Sequence, residues 1–165
     1  MAKEDQSARI GKNLDWAKIQ LIDDKNRPRM KEIIEKYGYI SPSVYGKDAA
    51  KSAWLLIQHF PPTDFQTMEL YLNFIKQNPE GFDTESLALF EDRINVYNNK
   101  PQVYGSQAYC PTNSKTWCFR EIVDIKNVDK RRKQIGLVSL KEYAKVMEKY
   151  YQYKLELPKG YIEQS

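Results

Sequence analysis

The stretch AAKSAWLLIQHF (49–60) constrains this chain more than any other. From Ala49 to Ile57 only Lys51 and Ser52 are not apolar, so a helix through it is apolar almost all round. A surface helix carries a polar face, and one without it belongs inside. Pro61 and Pro62 stop the helix, because proline cannot donate to the helical ladder and restricts the residue before it. The reading is a buried helix over 47–60 with others packed around it, and Ala53, Trp54 and Ile57 in the core. The uninterrupted apolar run, AWLLI (53–57), is far short of the roughly 20 residues a membrane span requires.

The flanking sequence supplies such helices. Ile10, Leu14, Ala17 and Leu21 recur at helical spacing, which predicts a helix over 4–23. DDKNRP breaks it. Asn26 then caps a second helix with Pro28 in its first turn and Gly38 as its stop. TDFQ (63–66) reads as a capping box opening a helix over 63–77. Thr84 caps a helix over 84–99, Asn127 a short one through Gln134, and SLKE (139–142) is a capping box for a helix over 139–152. Between Lys100 and Ile125 no helical period appears, and WCFREIVDI is rich in strand formers. The expectation is a mainly α, compact single domain (1–165) of about six or seven helices. It carries a small β-hairpin or irregular segment around 102–125 and a loose tail over 156–165.

Charge excludes some function classes. The chain has 26 Lys and Arg against 22 Asp and Glu, with the signs well mixed. Only KNVDKRRKQ (126–134) is locally basic, which argues against a nucleic-acid binder, whose charge is concentrated on one face. The first residues lack the apolar run of a signal peptide, so the expected compartment is the cytoplasm; a mature exported chain would read the same. Cys110, Cys118 and His59 show no metal-ligand spacing, so neither a metal nor a cofactor is expected. The two cysteines flank a turn-like PTNSKTW. They either face each other and bridge in an oxidising compartment or stay reduced in the cytoplasm.

Some polar residues look out of place. Asp92 and Arg93 lie beside a second apolar stripe of their helix, and a buried charge must be paired. Gln58 and His59 end the most apolar helix. There His59 either satisfies the free carbonyls of the last turn or serves as a general acid or base, since its ordinary pKa of about 6.5 suits that work. In PQVYGSQ (101–107), Gly105 permits close approach, and Gln102 and Gln107 each bring two donors and an acceptor. They either bind amide, peptide or sugar groups or satisfy the backbone of a segment without helical hydrogen bonds.

In order, DQSAR, LIQHF, FEDRINV, PQVYGSQ and RRKQIGL resemble an uncharacterised bacterial domain family. That family shows Asp-Gln-x-x-Arg, Gln-His, Asp-Arg, Gln-x-Tyr-Gly-Thr-Gln and Arg-Arg-x-x-x-Gly-Leu over about residues 4–145. Ser106 stands where the family usually has Thr. The resemblance implies a site formed from Asp5, Gln6, Arg9, Gln58, His59, Asp92, Arg93, Gln102, Tyr104, Gly105, Ser106, Gln107, Arg131 and Arg132, with Gly136 as a further matched position and no chemistry attached.

Two functions compete. In the first, His59 is the acid or base and Asp92 orients it. The arginines and glutamines then bind a small polar molecule, so that an amide-, peptide- or sugar-like ligand is held or hydrolysed. Ser106 as a nucleophile lacks the Gly-x-Ser-x-Gly elbow. In the second, the protein is an immunity, inhibitor or accessory module that binds a protein partner. The polar groups are then an internal network, and Tyr150, Tyr151 and Tyr153 supply contact area. A last expectation is that 101–107 lies near His59.

Overall fold

The computed structural model describes residues 1–10 and 14–163. It is mainly α, with eight α-helices and one small three-stranded sheet among the described residues. The chain divides into two compact units, Met1–Phe82 and Asp83–Ser165.

The first unit contains α1 (Ala2–Ala8), α2 (Trp16–Tyr37), α3 (Pro42–Tyr45), α4 (Lys47–Ile57) and α5 (Phe65–Gln77). As the pattern of 49–60 predicts, α4 is central, with α1, α2 and α3 packed on it. Ala53, Trp54 and Ile57 are buried, Ile57 completely, beside Ile19, Ile22 and Met30 of α2. On α5, Met68, Tyr71, Leu72 and Ile75 are buried.

Two expected helices here are redrawn. The helix over 4–23 is divided between α1 and α2, and residues 11–13 of that span lie outside the described residues. Asp15 caps α2 by accepting from the Lys18 N–H. The break at DDKNRP does not occur: α2 runs on through Pro28, and Asn26 is a buried interior residue rather than a cap. Both Pro28 and Asp24 are exposed, a setting in which water can serve the Asp24 carbonyl that the ring leaves without its donor. Gly38 ends α2 as expected, with its N–H on the Ile34 carbonyl. The capping box at Thr63 does not form either. A 3₁₀ turn, Pro62–Asp64, precedes α5, and Asp64 caps nothing with its side chain. Its carboxylate is taken by Lys31 at 2.8 Å and Arg27 at 2.7 Å.

The second unit contains α6 (Thr84–Tyr97), β1 (Ala108–Tyr109), β2 (Thr116–Phe119), α7 (Val128–Gln134), α8 (Leu140–Tyr151) and β3 (Lys154–Glu156). Asp83, not Thr84, caps α6, its carboxylate accepting from the Ser86 N–H and hydroxyl. Asn127 precedes α7 without a side-chain cap bond, whereas Ser139 and Glu142 form the full capping box of α8. The hairpin is β1 against β2, antiparallel, and β3 adds to β2 in parallel, with Trp117 opposite Leu155. That register decides the cysteine question. Tyr109, not Cys110, stands opposite Cys118, Cys110 lies beyond the end of β1, and both thiols are free. Phe119, Ile122, Val128, Leu140, Ala144 and Leu155 form the core of this unit. The segment beyond Leu155, expected to be loose, is tethered as far as Glu163. The Tyr161 hydroxyl donates to Asp129 at 2.7 Å, and Lys141 pairs with Glu163.

Candidate functional site

The residues singled out from the sequence are divided between the two units. In the first unit, α1 presents Asp5 and Gln6, Arg9 follows at its end, and the turn after α4 presents Gln58 and His59. His59 Nδ1 lies 3.0 Å from Asp5 Oδ2 and 3.2 Å from Oδ1, across 54 residues of sequence. Gln6 Nε2 donates to Asp5 Oδ2 at 2.8 Å, and Arg9 Nη1 to Asp5 Oδ1 at 2.8 Å. Arg9 Nη2 also donates to both oxygens of Asp23 on α2, at 2.6 and 2.8 Å.

Asp5 is only 1 % exposed. Burial by itself raises its carboxyl. The hydrogen bond and charge of His59 oppose this, then Gln6 and Arg9, and the net effect holds the group below its ordinary range. Asp5 therefore stays ionised and can only accept. It fixes the His59 proton on Nδ1, so in the neutral ring the basic lone pair is on Nε2. The carboxylate that reaches His59 is thus Asp5, the residue five from the start of the chain.

Asp5, Asp23 and His59 each bring one oxygen or nitrogen atom within 4.8 Å of the others. The Arg9 guanidinium already donates three hydrogen bonds into the two carboxylates, so the chain itself supplies the positive charge there. Asp23 did not stand out in the sequence. Its only signal is its place beside the buried stripe of Ile19, Ile22 and Asn26.

In the second unit the polar groups hold the backbone of 102–107. Asp92 is fully buried on α6; its Oδ1 accepts from the N–H groups of Val103 and Tyr104, and its Oδ2 from that of Ser106, at 2.6–3.0 Å. Burial pushes its carboxyl up, and these N–H groups and the Ser106 hydroxyl pull it part of the way back. Gln102 is also fully buried. It donates to the carbonyls of Gln107 and Arg120 and accepts from the Gln107 N–H. Arg131 donates to the carbonyls of Val103, Asp124 and Val123. Arg132 donates to those of Tyr104 and Val138, with its guanidinium over the Tyr143 ring. The Tyr143 hydroxyl takes the Ser106 carbonyl, and burial pushes its pKa up to about 12. Gln107 donates to the Leu89 carbonyl and the Ser106 hydroxyl.

Gly105 is required by both conformation and space. Its φ is +72°, and a Cβ there would stand 2.8 Å from the methyls of Ile122 and Leu140. Arg93 is half-buried on α6, and Tyr104 is half-buried, with burial raising its phenol.

Fold and geometry together define a mainly α protein with a buried carboxylate–histidine pair in one unit and a polar-braced loop in the other. The chain belongs to a family of unknown function, DUF6624, whose model matches residues 13–156. Asp5, Gln6 and Arg9 lie before the matched stretch, and the other residues singled out lie within it. No curated protein and no solved structure matches the chain. None of the described helices is long and apolar enough to cross a membrane.

Proposed function

We propose that His59 and Asp5 form an acid–base site for a small amide-, peptide- or sugar-like ligand, with hydrolysis as the chemistry such a pair suits. The observation that carries this reading is the 3.0 Å contact from His59 Nδ1 to a carboxylate that is itself 1 % exposed. A buried, ionised acceptor on Nδ1 sets the tautomer in which Nε2 takes up a proton, the role of the carboxylate in Asp-His pairs that serve nucleophilic or water attack. The side-chain oxygen of Gln6, whose Nε2 donates to Asp5, favours a ligand recognised through neutral hydrogen bonds. In this reading Asp5, rather than Asp92, is the orienting group, and Asp92 belongs to the loop it braces.

The test is a thermal-shift screen of amides, short peptides and sugars on the wild type and on His59→Gln, followed by hydrolysis assays of the hits. Ligands should raise the melting temperature of the wild type and not of His59→Gln. Turnover of any hydrolysed hit should fall about 100-fold or more in the variant, as for loss of a general acid or base. Hits that stabilise both proteins equally would overturn the reading.

A second reading, a non-enzymatic module for a protein partner, is favoured by the second unit. There Asp92, Gln102, Arg131 and Arg132 are spent on their own backbone, and Tyr150 and Tyr151 are exposed. It expects no ligand whose effect depends on His59, so the same screen separates the two.

A further inference from the structure

We infer that Asp23 and Arg9 are positioning residues that set the tautomer and basicity of His59, through Asp5 and by the charge each places near the ring. The inference rests on the acid–base reading of His59, but it is tested on the ring itself.

Four side chains from three helical elements form one line of alternating charge. Asp23 on α2 holds Arg9 Nη2 through both oxygens, at 2.6 and 2.8 Å. Arg9 Nη1 holds Asp5 Oδ1 at 2.8 Å, and Asp5 holds His59 Nδ1 at 3.0 Å. Asp23 and Arg9 are both largely covered, their side chains 22 % and 19 % exposed, so solvent screens these charges only in part. A long arginine side chain held by one carboxylate can swing. Held by two, on different helices, its guanidinium is fixed, and with it the Asp5 carboxylate.

With His59 neutral, the two carboxylates and Arg9 sum to −1; with His59 protonated the cluster is neutral. A ligand-type oxygen of Asp23 lies within 4.8 Å of a His59 ring nitrogen, so Asp23 acts on the ring directly as well as through Arg9. The charged groups near the ring include Asp5 and Arg9 from α1 and its end, and Asp23 from α2. Removing Asp23's charge should therefore make His59 harder to protonate, and removing Arg9's should make it easier. Arg9 accordingly belongs to the support of the site rather than to the binding of the ligand.

The chain has a single histidine, so imidazole ¹⁵N spectra report His59 without ambiguity. Titrations of wild type, Asp23→Asn, Arg9→Gln and Asp23→Glu decide the matter. In the wild type the neutral ring should carry its proton on Nδ1. The midpoint should fall by about one pH unit in Asp23→Asn and rise by a similar amount in Arg9→Gln, the scale of one charge within about 4–6 Å. Asp23→Glu should return it toward the wild-type value. Equal midpoints in wild type and Asp23→Asn, or shifts of the same sign in Asp23→Asn and Arg9→Gln, would overturn the inference, since a loosened structure has no reason to give opposite signs. Opposite shifts combined with a ligand screen that ignores His59 would leave the inference standing and remove the function proposed above.

Discussion

Asp92 shows how one side chain can specify a loop. Residues 102–107 have no helical ladder, yet nearly all their backbone groups find partners. Asp92 takes three N–H groups, Gln102 pairs with the Gln107 backbone, and Arg131, Arg132 and Tyr143 take carbonyls. Backbone polar groups in a covered segment must be satisfied, and uncharged or fully paired side chains are what a non-repeating segment has available. Truncating Asp92 to Ala leaves three covered N–H groups without their acceptor. Urea unfolding should show a loss of about 3–5 kcal/mol, the cost of breaking a buried charged network by removing one member. A loss under about 1 kcal/mol would mean that the loop does not depend on this carboxylate.

At the scale of elements, α2 is the instructive helix. Its 22 residues run through Pro28, which has no N–H for the Asp24 carbonyl. Proline in a helix interior costs about 3 kcal/mol relative to alanine, and part of this is offset by the smaller entropy of the unfolded chain. Because Pro28 is exposed, replacing it removes no core contact. Pro28→Ala should therefore stabilise the protein by about 2 kcal/mol, read from the shift of the urea midpoint at unchanged slope. An unchanged midpoint would indicate that the helix is bent enough at this point to accommodate the ring without cost.

For the whole molecule, the acid limb of stability carries the signature of the Asp5–His59 pair. The Asp5 carboxyl is held below its ordinary value in the folded chain, where burial is outweighed by His59, Gln6 and Arg9. A depressed folded pKa contributes stability above the unfolded value, about 3.9, and loses it as pH falls from there through the folded pKa. The stability gap between wild type and Asp5→Asn should thus be full at about pH 5 and narrow below about pH 4, followed by urea unfolding at successive pH values. A gap that widened as pH fell below about 4 would require a raised Asp5 pKa and would break the link to His59. The opposite sign belongs to Asp92, whose burial raises it, so comparison with Asp5→Asn rather than wild type alone is needed to isolate the pair.

The helical character of the chain was set locally. The apolar pattern of 49–60, Gly38 as a stop and the Ser139–Glu142 capping box are read within one or two turns, because helix hydrogen bonds and caps join residues three or four apart. The same locality explains the failures. Whether Asp64 caps a helix or pairs with Lys31 and Arg27, and whether a helix passes Pro28, depends on which side chains and how much water surround them. Strand β3 lies almost forty residues from β2, and nothing in KLE announces a parallel partner. The candidate site was legible as a set of residue types but not as a set of pairs. Asp5 and Asp92 are the same chemical group in the sequence. Only the packing of α1 and α2 on α4 gives His59 to Asp5, and only the turn of 103–106 over α6 gives three N–H groups to Asp92, since a carboxylate's role is fixed by the donors that tertiary structure brings within about 3 Å.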